Sequence, residues 1–129
     1  MLTNPRILYI EDERSVIELV RAALKLAGYE MLSAMSGEEG LAIMRDHKPD
    51  LLLLDLMMSG TNGWEVYRSM KEDEYLADVP VIVVTAKIPE DNSYTLIDDL
   101  PPVDDYITKP FDMWRLIRAV EKIIKRVDR

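Results

Sequence analysis

Four short stretches hold side chains whose types could do chemistry together. They are Glu11, Asp12 and Glu13 in "ILYIEDE", Asp55 in "KPDLLLLDLMM", Thr85 in "VIVVTA", and Thr108 and Lys109 in "DDYITKPFD". Asp55 poses the sharpest question, because it follows four leucines directly. An isolated carboxylate taken out of water costs several kcal/mol unless it is paired, metal-bound or kept at a rim. Three carboxylates gathered at one place repel each other unless a cation joins them. A hard divalent ion with oxygen ligands is the natural one, and Mg2+ typically takes one or two carboxylates plus a phosphate. A lysine at the same rim would hold a phosphoryl group as a point charge.

Such a site needs elements that bring positions 11, 55, 85 and 109 together. Arg6–Ile10 ("RILYI") reads as a buried strand. "SVIELVRAALKLAG" places Val16, Val20, Ala23 and Ala27 at helical spacing and closes on Gly28. "YEMLSA" is a second strand. "SGEEGLAIMRDHKP" opens with Ser36 and Glu39 as a capping box and stops before Pro49. "DLLLLD" is a continuous apolar strand, and "NGWEVYRSMKEDE" is a helix with Asn62 and Glu65 at capping spacing. "VPVIVVTA" and the shorter, more polar "VDDYI" are two further strands, the last suited to a sheet edge.

"DMWRLIRAVEKIIKRV" closes the chain with Met113, Leu116, Ile117, Val120, Ile124 and Val127 as one stripe. Between positions 87 and 103 the pattern predicts a short fourth helix. It starts near Glu90 or Asp91 and ends by about Asp99, because Pro101 and Pro102 disfavour helix there. Five βα units with unbroken apolar strands predict a doubly wound α/β fold, a five-stranded parallel sheet covered by helices on both faces. In such a sheet ligands bind beyond the carboxyl ends of the strands, where residues 11–13, 55, 85 and 108–109 fall.

Composition narrows the function classes. The chain has 129 residues, enough for one domain, with 48% hydrophobic and 31% charged residues. Cysteine is absent, so no disulfide, thiolate metal site or cysteine nucleophile is available. There is no signal-peptide pattern, and no apolar run approaches the ~18 residues that span a bilayer, so the expectation is a cytoplasmic protein without membrane insertion. A formal net charge of −8 disfavours direct binding to nucleic acid. Positions 112–129 invert this balance, with Arg115, Arg118, Lys122, Lys125, Arg126 and Arg129 against Asp112, Glu121 and Asp128. A solvated helix face accounts for that, and a docking surface for an acidic partner is the alternative. His47 is expected to be exposed at a helix end, Trp64 and Trp114 to be packed or partly exposed at helix starts, and the methionines to fill the core.

The blocks "ILYIEDE", "LLLLDLMMSGTNG", "VIVVTA" and "DDYITKPFD" together resemble the receiver domain of two-component response regulators, of the single-domain, chemotaxis-regulator-like type. The resemblance covers essentially the whole chain. It implies the flavodoxin-like strand order 2-1-3-4-5 and one receiver domain over 1–129 without an output domain. Asp55 becomes the phosphoacceptor for a partner phosphohistidine, on a histidine kinase or histidine phosphotransfer protein. Asp12, Asp55 and the backbone carbonyl of Met57 become the Mg2+ ligands, with Glu11 acting mainly through water. Lys109 pairs with Asp55 and then with the phosphoryl oxygens. Thr85 binds a phosphoryl oxygen, and Tyr106 swings inward as Thr85 moves, which changes the surface offered to a downstream effector protein. The Lys109–Pro110 bond is expected to be cis.

Departures from the family pattern qualify this. The acidic pair is Glu-Asp, Ser59 stands where proline is usual, and "LPPV" replaces the usual turn before the fifth strand. Met57 and Lys87 occupy positions that tune autodephosphorylation in the family, so slow hydrolysis is expected. An interaction module that signals without phosphorylation is the alternative. A haloacid-dehalogenase-type hydrolase also uses an Asp nucleophile after a buried strand, but needs a second Asp where this chain has Met57.

Overall fold

The computed structural model describes residues 4–58, 61–86 and 103–127. Five strands form one parallel sheet: β1 (Arg6–Ile10), β2 (Glu30–Ala34), β3 (Leu51–Leu54), β6 (Val81–Thr85) and β7 (Asp105–Thr108), in the order β2-β1-β3-β6-β7. This is the doubly wound, flavodoxin-like sheet expected from the alternation, with β7 on an edge. A two-residue antiparallel pair, β4 (Met57–Met58) and β5 (Thr61–Asn62), follows β3 and was not expected from the pattern. Two residues per strand are too few to leave a periodic signal.

The helices are α1 (Arg14–Leu26), α2 (Gly37–Asp46), α3 (Gly63–Glu72) and α4 (Met113–Val127). The proposed helix between positions 87 and 103 lies outside the described residues, as do Ser59 and Lys87. The predicted stops hold: Gly28 takes φ +96 just after α1, a left-handed conformation that suits glycine. At α2 the Ser36 hydroxyl accepts from Glu39 N at 3.1 Å, but Glu39 reaches back to Met35 N at 2.8 Å, one residue before the amide a regular capping box would use. At α3 the Asn62 side chain accepts from Trp64 N at 2.9 Å rather than from Glu65.

The strands are buried on both faces, which is why they read as unbroken apolar runs. Ile7, Tyr9, Leu51, Leu53, Ile82, Val84 and Ile107 face α1 and α4. Leu8, Ile10, Leu52, Leu54, Val81 and Val83 face Met44 of α2 and Val66 and Met70 of α3. The edge strand β7 is tied to α4 by Arg115, which donates to both Asp105 oxygens at 3.2 Å and to Tyr106 O at 3.3 Å.

One close approach fixes the turn after β3. A Cβ on Gly63 would lie 2.5 Å from Asp55 O and 2.7 Å from Leu56 Cα, both backbone atoms that have no rotamer with which to retreat. Gly63→Ala is therefore expected to destabilise the protein by about 1–3 kcal/mol through overpacking. Urea unfolding measures this, and a change under about 0.5 kcal/mol would mean that the turn moves aside freely.

Candidate functional site

The strand register carries the candidate residues to one end of the sheet. Ile10 is aligned with Leu54, Leu54 with Val83, and Thr85 with Thr108, so β1, β3, β6 and β7 finish nearly level. The ladder runs past the strand ends, since Asp55 N donates to Ile10 O at 3.1 Å and Lys109 N to Thr85 O at 2.9 Å. β1 lies between β2 and β3, so the chain reverses its winding beside β1, and Glu11 and Asp55 sit at that crevice.

Glu11, Asp12, Asp55, Thr85 and Lys109 are brought together there. Carboxylate oxygens of Glu11, Asp12 and Asp55 all lie within 4.8 Å of one another. Glu11 is 1% exposed and Asp55 3%, so Asp55 is buried at the rim rather than stranded in the core. Lys109 Nζ donates to Asp55 Oδ2 at 3.1 Å and also to Glu11 Oε1. The backbone N–H of Met57 donates to Asp55 Oδ1 at 3.0 Å, while the Met57 side chain is exposed beside the cluster. Thr85 is fully buried, and its hydroxyl has no hydrogen-bond partner among the described residues. The Lys109–Pro110 bond is cis, as expected.

Tyr106 does not join the cluster. It lies half-buried in β7, aligned with Val83, on the sheet face that packs against α2 and α3. Thr85 follows Val83 by two residues and so shares that face, which makes Thr85 and Tyr106 diagonal neighbours. His47 is exposed at the C-terminus of α2, away from the site elements. Of the two outcomes expected for the tryptophans, Trp64 packs edge-on against Tyr67 with ring centroids 5.9 Å apart, and Trp114 is largely exposed.

Sequence reading missed Tyr9. It was counted as strand core, and its ring is indeed fully buried, but its hydroxyl donates to Glu11 Oε1 at 3.1 Å. The Glu13 backbone N–H donates to Glu11 Oε2 at 3.1 Å, so both Glu11 oxygens are engaged. The available signal was the i, i+2 spacing of Tyr9 and Glu11, which puts both on one side of an extended chain.

The electrostatics follow from burial. Burial raises the Asp55 carboxyl above its ordinary value and the Glu11 charge adds to this, while the Met57 N–H and Lys109 oppose it. For Lys109 burial works toward a lower value, but the hydrogen bonds and charges of Glu11 and Asp55 outweigh it and hold the ammonium above its usual value. Burial, followed by the charge of Glu11, raises the Tyr9 phenol far beyond its usual value and keeps it a neutral donor.

Three carboxylates and one ammonium leave about two negative charges uncompensated when all are ionised, which matches a divalent cation. The oxygen-only acidic donor set and the orphaned Thr85 hydroxyl fit a hard ion and an oxyanion beside it.

The raised Asp55 value has a consequence for stability. A carboxyl raised in the folded state stabilises the fold below its unfolded pKa, and that contribution is lost as pH climbs through the raised value. Ionised Asp55 therefore opposes folding at neutral pH when no metal is present. Asp55→Asn is expected to raise the unfolding free energy by about 1–3 kcal/mol at pH 7, with the gain shrinking as pH falls through the raised value and gone below about pH 4. Urea titrations in chelator at both pH values test this, and a destabilised variant at pH 7 would show that the Lys109 pairing outweighs burial.

Comparison with known proteins gives the family. The response regulator receiver domain model matches residues 7–121. The phosphate regulon transcriptional regulatory protein PhoB of Pseudomonas aeruginosa is 42% identical over 125 residues, which cover 97% of this chain and 54% of that protein. Protein PilH of Pseudomonas aeruginosa is 32% identical over 119 residues, covering 92% of this chain and 97% of that protein. The signal receiver domain of a signal transduction histidine kinase from Syntrophus aciditrophicus superposes with a TM-score of 0.86 at 27% identity, over 97% of this chain and 93% of that one. The chain spans about half the length of PhoB and of several other curated relatives that it matches. Among the described residues no helix is long and apolar enough to cross a membrane. With its parallel sheet, its acidic crevice and a family match over most of its length, the chain belongs to the response regulator receiver domain family.

Proposed function

We propose that Asp55 is the phosphoacceptor of a two-component or phosphorelay step, taking a phosphoryl group from a phosphohistidine on a histidine kinase or histidine phosphotransfer protein. The observation that carries this is the position of Asp55: buried at a strand end, held by Met57 N–H and Lys109, and beside two further acids. An Asp55 carboxylate oxygen attacks phosphorus, the O–P bond forms, and the P–N bond breaks with its electron pair going to the imidazole nitrogen. The product is an acyl phosphate on Asp55.

Transfer of this kind asks mainly for alignment and charge neutralisation. Asp12, Asp55 and the Met57 carbonyl would hold Mg2+, with Glu11 acting through water, and the ion would supply the larger share of that neutralisation. The engagement of both Glu11 oxygens by Tyr9, Glu13 and Lys109 supports an indirect role for Glu11. Lys109 keeps its charge across the physiological range and can exchange a carboxylate oxygen for a phosphoryl oxygen. The unpartnered Thr85 hydroxyl donates to another phosphoryl oxygen, and Tyr106 turns into the space that Thr85 leaves. The resulting surface change is read by a downstream effector protein. The chain acts as a phosphoacceptor that promotes its own transfer, not as an enzyme with turnover on a separate substrate.

Incubation with Mg2+ and acetyl phosphate is expected to add one phosphoryl mass to the wild-type chain and none to Asp55→Asn, with chelator blocking the reaction. Modification that persists in Asp55→Asn, or that ignores the chelator, overturns the assignment. Met57 bears on how long the phosphoryl group lasts. An exposed thioether cannot orient an attacking water by hydrogen bonding, whereas an amide can. Met57→Asn is expected to hydrolyse the acyl phosphate about tenfold faster than wild type, read as loss of the phosphorylated mass with time. Faster loss from wild type would sink the idea.

A further inference from the structure

Tyr9 touches the site without taking part in the proposed chemistry. Its ring is fully buried in the cluster that includes Ile17, Val20 and Leu116, and β1 is bonded to a strand on either side. Ring and backbone are therefore both held. From that anchor the hydroxyl donates to Glu11 Oε1 at 3.1 Å. Burial keeps the phenol protonated, so it serves as a fixed neutral donor.

Glu11 is thereby turned toward donors of the protein itself. Oε1 accepts from Tyr9 and from Lys109 Nζ, and Oε2 accepts from the Glu13 N–H at 3.1 Å. Lys109 also holds Asp55 at 3.1 Å, and the Glu13 amide belongs to the backbone that starts α1. The Tyr9 hydroxyl is the donor whose placement serves Glu11 alone. Glu11 nevertheless keeps an oxygen within 4.8 Å of oxygens of Asp12 and Asp55. A short swing of its side chain would add a third carboxylate to a cation held by those two.

The number of carboxylates matters because the two common hard cations use them differently. Mg2+ demands near-ideal octahedral geometry, keeps several waters and takes roughly one or two carboxylates. Ca2+ takes roughly six to eight oxygens in looser geometry and gains from each added acidic ligand.

We infer that Tyr9 is a positioning residue that sets the cation preference of the site: its hydroxyl keeps Glu11 on Lys109 and out of the metal's ligand set, which holds the site to two carboxylates and favours Mg2+ over Ca2+. This role rests on the phosphoacceptor reading, in which Asp12 and Asp55 hold the ion, and extends it to a residue outside the reacting set.

The test is a pair of titrations, with Mg2+ alone and Ca2+ alone, at constant ionic strength on wild type and Tyr9→Phe. Binding is read from the NMR signal of the Met57 amide, whose N–H donates to Asp55 Oδ1 at 3.0 Å. Phenylalanine keeps the buried ring and removes only the hydroxyl. Tyr9→Phe is expected to tighten Ca2+ about tenfold and Mg2+ less than about threefold, so that the preference for Mg2+ falls. The same change made on a Glu11→Gln chain should leave the ratio of the two affinities within about twofold, because no charged side chain is then released.

A ratio unchanged by Tyr9→Phe overturns the role of Tyr9. So does a fall of both affinities by one common factor, which is what a merely structural residue would cause, and so does a ratio change that survives Glu11→Gln. Wild type that binds neither ion by about 20 mM overturns it together with the metal-assisted reading. Acetyl phosphate labelling separates the remaining failures. An unchanged ratio in a chain that labels at Asp55 removes the Tyr9 role alone, and an altered ratio in a chain that never labels removes the phosphoacceptor reading alone.

Discussion

Glu11, Asp12 and Asp55 set carboxylate oxygens within 4.8 Å of one another at a buried sheet end, and Lys109 supplies the cation bound to two of them. Like charges this close, partly shielded from water, are held together only by a frame that forbids them to separate. Much of the rest of the molecule can be understood as that frame. The strands end level because their ladders are in register, and the ladders are stiff because both sheet faces are packed. Gly63 presses the α3 start against the backbone of Asp55 and Leu56, which leaves the turn no room to relax away from the cluster.

The parts of this arrangement that sequence revealed are those with a repeating or directional signal. Unbroken apolar runs announced strands buried on both faces, and Ser36, Gly28 and Pro49 announced helix ends. Acids and a lysine after those runs announced the crevice, because in a parallel sheet every strand end points the same way. What stayed hidden depends on three-dimensional proximity alone. The bond from Tyr9 to Glu11 needs a buried hydroxyl to meet a buried acid, and a tyrosine within "RILYI" looks the same whether or not it does so. The shift of the α2 reciprocal cap from Ser36 to Met35, and of the α3 cap from Glu65 to Trp64, are differences of one amide that no residue pattern encodes.

Strand parity divides the site in two. Tyr9, Leu53 and Ile107 belong to the face covered by α1 and α4, and Glu11, Asp55 and Lys109 each follow one of them by two residues. Val83 belongs to the opposite face, and Thr85 continues its parity together with Tyr106. A group held by both Lys109 and Thr85 therefore bridges the two sides of the sheet at its open end. Among the described residues the Thr85 hydroxyl has no partner, while Lys109 bonds both Glu11 and Asp55 on the other side.

The same division bears on how a signal could leave the site. Tyr106 lies on the α2–α3 face, whereas α4 covers the opposite face of the sheet. The two are joined mechanically at one corner. Arg115 grips Asp105 and the Tyr106 carbonyl from the first turn of α4, and Asp112 caps that turn by accepting from Arg115 N at 2.7 Å. Only Pro110, Phe111 and Asp112 separate Lys109 from α4. Any displacement of Lys109 thus reaches α4 through three residues whose far end is anchored, while β7 is held from the other side by Arg115. Coupling between the site and α4 requires this corner to have two packed arrangements rather than one, because a single stiff arrangement transmits position but no choice between states.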